Sequence, residues 1–239
     1  MPVAPNPDAP RRLFTSPDFP TVRVTGECGI YPVHRIFCVG RNYAEHAKEM
    51  GVEVDREAPF YFTKSALAIV PSGAEIAYPP GTGNCHHEME LVVAIGAPAW
   101  KADALAAEAA IFGYAAGLDM TRRDLQLAAR AKQRPWDLGK DFENSAVIAP
   151  ITRAAGFTVA DQPIRLSVNG AVRQDATLTD LVWSPAAIIS HLSHFYHLAP
   201  GDLIYTGTPA GVGPVLPGDR IHGTIEGLDP IELTIGAPE

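Results

Sequence analysis

His86-His87-Glu88-Met89-Glu90-Leu91-Val92-Val93-Ala94-Ile95 is the stretch on which the fold turns. Glu88 to Ile95 reads as the strongest strand, with a continuous apolar end, Leu91 to Ile95, that marks it as buried. The residues entering it are charged. Side chains alternate along a strand, so Glu88 and Glu90 share a face while Met89 points the other way. Two carboxylates on one face are either a solvated polar edge or a pair that must find a cation or take up a proton. The apolar continuation of the same strand favours the second reading. A third carboxylate, Asp119, stands at the end of a small-residue strand, Gly113 to Leu118. Alone it would read as a turn former, but with Glu88 and Glu90 it makes an all-oxygen set suited to Mg²⁺ or Mn²⁺. His86 and His87 leave zinc open, although no HExxH or Cys/His spacing accompanies them.

Working outward, Arg35 to Val39 reads as a short strand, and Asn42 with Glu45 resembles a capping box for a helix over Tyr43 to Met50, stopped by Gly51. Phe60 to Lys64 and Leu67 to Val70 read as strands. Residues 101–112 read as an alanine-rich helix. Thr121 and Asp124 have the spacing of a second capping box, with a helix through Leu125, Ala128, Ala129 and Lys132. Asn169-Gly170 between two alternating runs is a hairpin signal. Ser184-Pro185 starts a helix to about Leu198, and a final hairpin is expected around Gly227 to Asp229. Strands dominate, and the alternation βαβαβ is not kept, so the chain reads as mixed α and β.

The 239 residues suit one large domain, or one with a small appendage. A content of 46% hydrophobic and 19% charged residues describes a folded globule. The 21 Gly and 22 Pro residues exceed average usage, roughly 12% of a chain, by about half, and indicate many turns. Six prolines fall within residues 1–20, which read as an extended arm. The formal net charge of −8, with no basic run, argues against nucleic acid as a partner. No apolar run of about 18 residues is present, and no charged-then-apolar leader, which argues against a membrane span and against secretion. Three cysteines without a CxxC spacing read as reduced thiols. A cytoplasmic location and a small-molecule substrate are the expectations.

Other residues carry chemistry in combination. His46 and Glu49 lie three apart on the first helix, so the carboxylate either orients the imidazole as a general base or forms an exposed ion pair. Lys140 follows Arg134-Pro135-Trp136 in a Gly-Lys-Asp context and, alone, reads as a surface charge. Thr206-Gly207-Thr208-Pro209-Ala210-Gly211-Val212-Gly213 is a glycine-bearing loop able to cradle a carboxylate.

As an ordered series these pieces are specific. Gly40-Arg41-Asn42-Tyr43-x-x-His46-x-x-Glu49, then Glu88-x-Glu90, then Gly117-Leu118-Asp119-Met120-Thr121-x-Arg123-Asp124, then Lys140 and Gly201-Asp202 through Gly213, resemble the fumarylacetoacetate hydrolase family from about residue 33 onward. Tyr31 to Ile36 and Arg134 to Lys140 are similar to its short members in bacterial aromatic catabolism, on the gentisate route. The resemblance implies an α+β fold of rolled, mixed β-sheets with a few peripheral helices, usually a homodimer, with residues 1–32 as a proline-rich N-terminal arm and 33–239 as a single catalytic domain. It implies that Glu88, Glu90 and Asp119 hold Mg²⁺ or Mn²⁺, that His46 oriented by Glu49 activates water, and that Lys140 offsets oxyanion charge. Arg41, Tyr43, Arg123, Gln126 and Thr208 are then candidates for holding substrate. The implied reaction is hydrolysis of a C–C bond in a 2,4-diketo acid, with fumarylpyruvate giving fumarate and pyruvate. An oxaloacetate decarboxylase or a dienedioate isomerase on the same metal-enolate machinery, and a non-enzymatic dicarboxylate binder, are the rival readings.

Overall fold

The computed structural model of the chain describes residues 14–15, 17–45 and 58–239. Two β-sheets carry the molecule. The larger takes its strands in the spatial order Phe60–Lys64, Arg35–Gly40, Asp202–Tyr205, Met89–Ile95, Ile111–Asp119, Ala146–Ile148 and Ile69–Pro71, with Thr152–Arg153 also paired to Ile111–Asp119. The second runs Ala171–Thr177, Pro163–Val168, Arg220–Ile225, Ile231–Pro238 and Ala74–Tyr78. Both are mixed: Asp202–Tyr205 is parallel to Arg35–Gly40 and Ile231–Pro238 to Ala74–Tyr78, while most other pairs are antiparallel. The four described α-helices, Ala104–Ala109, Arg123–Ala131, Asp137–Lys140 and Pro185–Leu192, are short. The α+β expectation of rolled sheets and few helices holds.

The unbroken run Leu91 to Ile95 has its reason here. Leu91, Val93 and Ile95 face the core between the sheets, against Ile164, Leu166, Ile221 and Ile231. Val92 and Ala94 face a second core with Ile36, Cys38, Leu203 and Tyr205. A strand covered on both faces needs no polar side. Each fully buried Leu or Ile contributes about 1.5–3 kcal/mol by leaving water. Val22, Val24, Tyr31 and Val33 also pack into the second core, so residues 21–33 lie against the body of the protein.

Several elements depart from expectation. The alanine-rich helix is only Ala104–Ala109, capped by Asp103, because Ile111 already pairs with Ile95 in the large sheet. Ala66–Ala68 is a 3-10 turn capped by Ser65, so the expected Leu67 to Val70 strand reduces to Ile69–Pro71. The expected Thr121 capping box is absent. Thr121 pairs with His86 in a small sheet, Asp124 accepts hydrogen bonds from Thr82 Oγ1 (2.6 Å) and the Gly83 amide (3.1 Å), and the helix starts at Arg123 without a side-chain cap. The helix capped by Ser184 ends at Leu192, where the chain turns to let Leu198 and Ala99 exchange backbone hydrogen bonds. Asn42 is buried and clamps distant segments: its amide donates to the Trp183 and Thr206 carbonyls (3.0 and 2.8 Å), and its oxygen accepts from the Trp183 N–H (2.7 Å). Most of the helix expected over Tyr43 to Met50 lies outside the described residues. The Asn169-Gly170 hairpin forms as expected, with φ of 52° and 80° at the two turn residues. Among the described residues, no helix is long and apolar enough to cross a membrane.

Candidate active site

Strand geometry brings the three carboxylates together. The chain leaves Cys85–His87, in a small sheet with Thr121–Arg122 and Gly213–Pro214, and enters Met89–Ile95 in the large one. Glu88 is the residue at that switch, and Glu90 follows inside the strand. Ile111–Asp119 is the antiparallel neighbour and delivers Asp119 beside them, its amide donating to the Glu88 carbonyl (2.9 Å). All three are buried, with one carboxylate oxygen from each within 4.8 Å of the others.

Three buried cations surround them. Lys140 Nζ donates to Glu88 Oε2 (2.8 Å), Asp119 Oδ2 (2.7 Å) and Thr121 Oγ1 (2.7 Å). Arg123 Nη2 donates to Glu88 Oε1. Lys64 Nζ lies 2.9 Å from Asp119 Oδ1 and donates to the Met120 carbonyl (3.1 Å) and that of Lys140. Burial pulls the Lys140 ammonium toward deprotonation, but Asp119 and Glu88 outweigh it and hold the lysine more basic than usual. Glu90 Oε2 accepts from the Gly207 amide (2.7 Å). Burial first, then Asp119 and Glu88, raise its carboxyl well above the ordinary range. Three carboxylates in one dry site favour a further cation, and a divalent oxygen-seeking ion satisfies that demand. The cavity beside them holds about 40 Å³, room for an ion or a water. The residues present therefore fit a bound dication held by Glu88, Glu90 and Asp119.

Arg41, Arg123, Gln126, Thr208 and Lys140 line this cavity with the carboxylates. Tyr43 sits behind that wall: it is buried, bridges to Leu181, and its hydroxyl has no hydrogen-bond partner among the described residues. His46 and Glu49 lie outside the described residues. Lys140 spends all three N–H groups on Glu88, Asp119 and Thr121, so in this state it acts on its surroundings as a fixed positive charge. Gln126 accepts from Arg123 Nη1 through its oxygen, which leaves its amide N–H₂ as its remaining donor.

Some contributors carried no sequence signal. Lys64 reads as the solvent end of a strand, yet it is fully buried. Gln174, from the other sheet, accepts from the Met89 amide (3.0 Å) and donates to Thr208 Oγ1 (2.8 Å) and the Pro209 carbonyl (2.8 Å), so it fixes the glycine-bearing loop. His87 turns to Gln174 Oε1 (3.2 Å). His86 is kept neutral by burial, then by Arg123, with its pKa pushed down to about 4. Its Nδ1 accepts from Arg123 Nε (3.4 Å) while Nε2 faces Asn84 Oδ1 (2.9 Å), so it braces Arg123.

The loop over Thr206 to Gly213 depends on Gly211. Its φ is +95°, and a Cβ there would stand 2.0 Å from the Arg173 carbonyl oxygen. Gly211→Ala is expected to cost about 2 kcal/mol or more, from a strained backbone and a displaced neighbour. Thermal denaturation should fall by at least about 4 °C in a chain of this size, and KM should rise because Thr208 moves with the loop. An unchanged melting temperature and KM would refute that role.

The chain belongs to the fumarylacetoacetate hydrolase family: the family model Fumarylacetoacetate (FAA) hydrolase C-terminal matches residues 35–236. It is 54% identical over 192 residues to a fumarylpyruvate hydrolase from Ralstonia sp, covering 80% of this chain and 100% of that protein. It is 41% identical over 199 residues to the oxaloacetate tautomerase YcgM of Escherichia coli (strain K12), covering 82% and 90%. The crystal structure of fumarylpyruvate hydrolase from Pseudomonas aeruginosa in complex with Mn²⁺ and pyruvate superposes with a TM-score of 0.92 at 45% identity, covering 95% of this chain and 100% of that one.

Proposed function

We propose that the protein is a metal-dependent hydrolase that cleaves the C3–C4 bond of a 2,4-diketo acid, converting fumarylpyruvate to fumarate and pyruvate. The observation that carries this reading is the convergence of Glu88, Glu90 and Asp119 on one cavity whose walls also present Lys140, Arg123, Gln126 and Arg41. The carboxylates and the three buried cations beside them cancel in formal charge, so a dication makes the pocket net positive and suited to a dianionic substrate.

Glu88, Glu90 and Asp119 hold the ion, and Lys140 and Arg123 hold Glu88 for it. When bound, Mg²⁺ or Mn²⁺ supplies Lewis-acid stabilisation of the charge that develops on the 2-oxo-acid end. His46, oriented by Glu49, takes a proton from water as its oxygen bonds to the C4 carbonyl carbon. The Gln126 amide and the positive charge of Lys140 stabilise the resulting oxyanion. Breaking the C3–C4 bond sends the electron pair to C3 of the pyruvate enolate, and His46 returns its proton there. Arg41, Arg123 and Thr208, which line the cavity, bind the carboxylate and oxo groups, with Tyr43 behind them. Mg²⁺ as resident ion, a homodimer, a place in gentisate catabolism and a cytoplasmic location belong to the same proposal; the described cysteines, all free, suit a reducing compartment.

The test supplies purified protein with fumarylpyruvate, acetylpyruvate and oxaloacetate, each with Mg²⁺ and with chelator. Fumarate and pyruvate in equal amounts, lost on chelation, are expected. Turnover of oxaloacetate alone would replace this reading with a decarboxylase or tautomerase. Chelator-insensitive hydrolysis would remove the metal.

A further inference from the structure

Four residues that wall the inner cavity, Arg41, Phe62, Arg130 and Trp136, also line a second, larger cavity of about 500 Å³ that opens outward from it. The two spaces therefore meet at a collar of two guanidinium groups and two aromatic rings. A molecule whose 2-oxo-acid end lies at the carboxylates must send its acyl arm through that collar.

The outer cavity is built for a flat arm with a negative end. Phe60 packs edge-on against Trp136 at 5.0 Å between centroids, and Phe62 lies 6.1 Å from the same ring, which gives stiff planar walls. Arg41, Arg130 and Arg134 line it against a single acid, Asp137. Arg41 has a φ of +61°, a rare conformation for a residue with a side chain. It places the guanidinium carbon 6.0 Å from the Phe60 centroid.

The helix Arg123–Ala131 supplies a scale. Arg123, Gln126 and Arg130 are spaced i, i+3, i+7 on it, and all three line the inner cavity. Arg123 grips Glu88 at one end. Arg130 stands seven residues on, about 10 Å further along the axis at 1.5 Å per residue. A seven-carbon 2,4-diketo dicarboxylate spans about 7–8 Å between its end carbons, from bond lengths near 1.5 Å, and its carboxylate oxygens reach further. An acetyl arm ends two carbons earlier.

We propose that the outer cavity is an acyl-arm subsite for a planar chain ending in a carboxylate, and that Arg130, together with Arg41, binds that terminal carboxylate and so sets arm specificity. This rests on the inner cavity being the 2-oxo-acid site. Arg130 also sits in the last turn of its helix, where a cation opposes the helix dipole; that role alone would change stability and not discriminate between substrates.

The test measures kcat and KM of metal-loaded wild type, Arg130→Met and Arg130→Lys on fumarylpyruvate and on acetylpyruvate, with fumarate as inhibitor. In Arg130→Met the preference for the carboxylate-ended arm, as a ratio of kcat/KM values, should fall roughly 10–100-fold, the range of a charge-assisted hydrogen bond. The loss should lie mainly in KM, fumarate inhibition should weaken in parallel, and Arg130→Lys should recover part of it. Equal losses on both substrates, or no change in the ratio, overturn the subsite. If wild type hydrolyses neither compound, the hydrolase reading fails. Calorimetric binding of fumarate to wild type and Arg130→Met then decides the subsite by itself, and equal affinity overturns it.

Discussion

Glu90→Gln is expected to abolish metal-dependent turnover while leaving the metal-free protein at least as stable as wild type. Glu90 is buried and accepts from the Gly207 amide, and burial, Asp119 and Glu88 all resist its ionisation. Its proton is therefore held to higher pH than that of an ordinary carboxyl, and glutamine copies the protonated form's shape and can still accept from Gly207. As a metal ligand in the proposed function, it would be replaced in the variant by a neutral, weaker one. Activity should fall by more than about 100-fold, since even an outer partner of a metal ligand is worth 10–100-fold. Saturating Mn²⁺ at a hundred times its Kd stabilises wild type by about 2.7 kcal/mol, or about 5–11 °C, and this rise should vanish in the variant. The pH dependence follows from the raised native pKa. The stability Glu90 contributes by holding its proton is fully present below about pH 4.5, its ordinary value, and is lost as pH climbs through the native one. The melting temperature of metal-free Glu90→Gln should therefore gain on metal-free wild type as pH rises. A retained metal-induced rise, or a metal-free variant much less stable than wild type, would sink this account.

The carboxylate set was legible because its signal is local in each strand. Glu88 and Glu90 sit two apart, Asp119 ends a small-residue run, and both strands need only pair for the three to meet. The apolar run Leu91 to Ile95 announced a buried strand for the same reason; that both faces are covered comes from the two cores. What the sequence hid were interactions fixed by tertiary partners. Thr121 has the spacing of a cap, but pairing with His86 takes its backbone and Lys140 takes its hydroxyl. The helix over 104–109 is shorter than its alanines suggest because the sheet claims Ile111. Gln174 belongs to an otherwise exposed hairpin strand, and only the approach of the two sheets turns it inward to Met89 and Thr208. Arg130 drew no reading from the sequence, because only the joined cavities give its i+7 spacing from Arg123 a meaning.

Lys64→Met should be among the most destabilising single changes outside the metal ligands. The lysine is fully buried, its ammonium faces Asp119 Oδ1 at 2.9 Å, and it donates to the carbonyls of Met120 and Lys140. Asp119 Oδ1 is buried and has no hydrogen-bond partner among the described residues, so the Lys64 charge is what faces it. Methionine matches the length of lysine, so the effect reports charge and hydrogen bonding more than volume. An exposed pair would be worth about 0–1 kcal/mol. Removing one partner of a buried pair costs about 3–5 kcal/mol; Lys140 still faces Asp119 Oδ2 at 2.7 Å, so the loss should fall at the lower end, about 6–12 °C in a chain this long. Two further outcomes separate this charge effect from mere packing. Mn²⁺ should stabilise Lys64→Met by more than it stabilises wild type, since the dication now also replaces the missing positive charge. The double variant Lys64→Met/Asp119→Asn should recover part of the loss without metal, as deleting both partners costs less than deleting one. A fall in melting temperature under about 2 °C, or additive losses in the double variant, would show that Lys64 does not compensate Asp119.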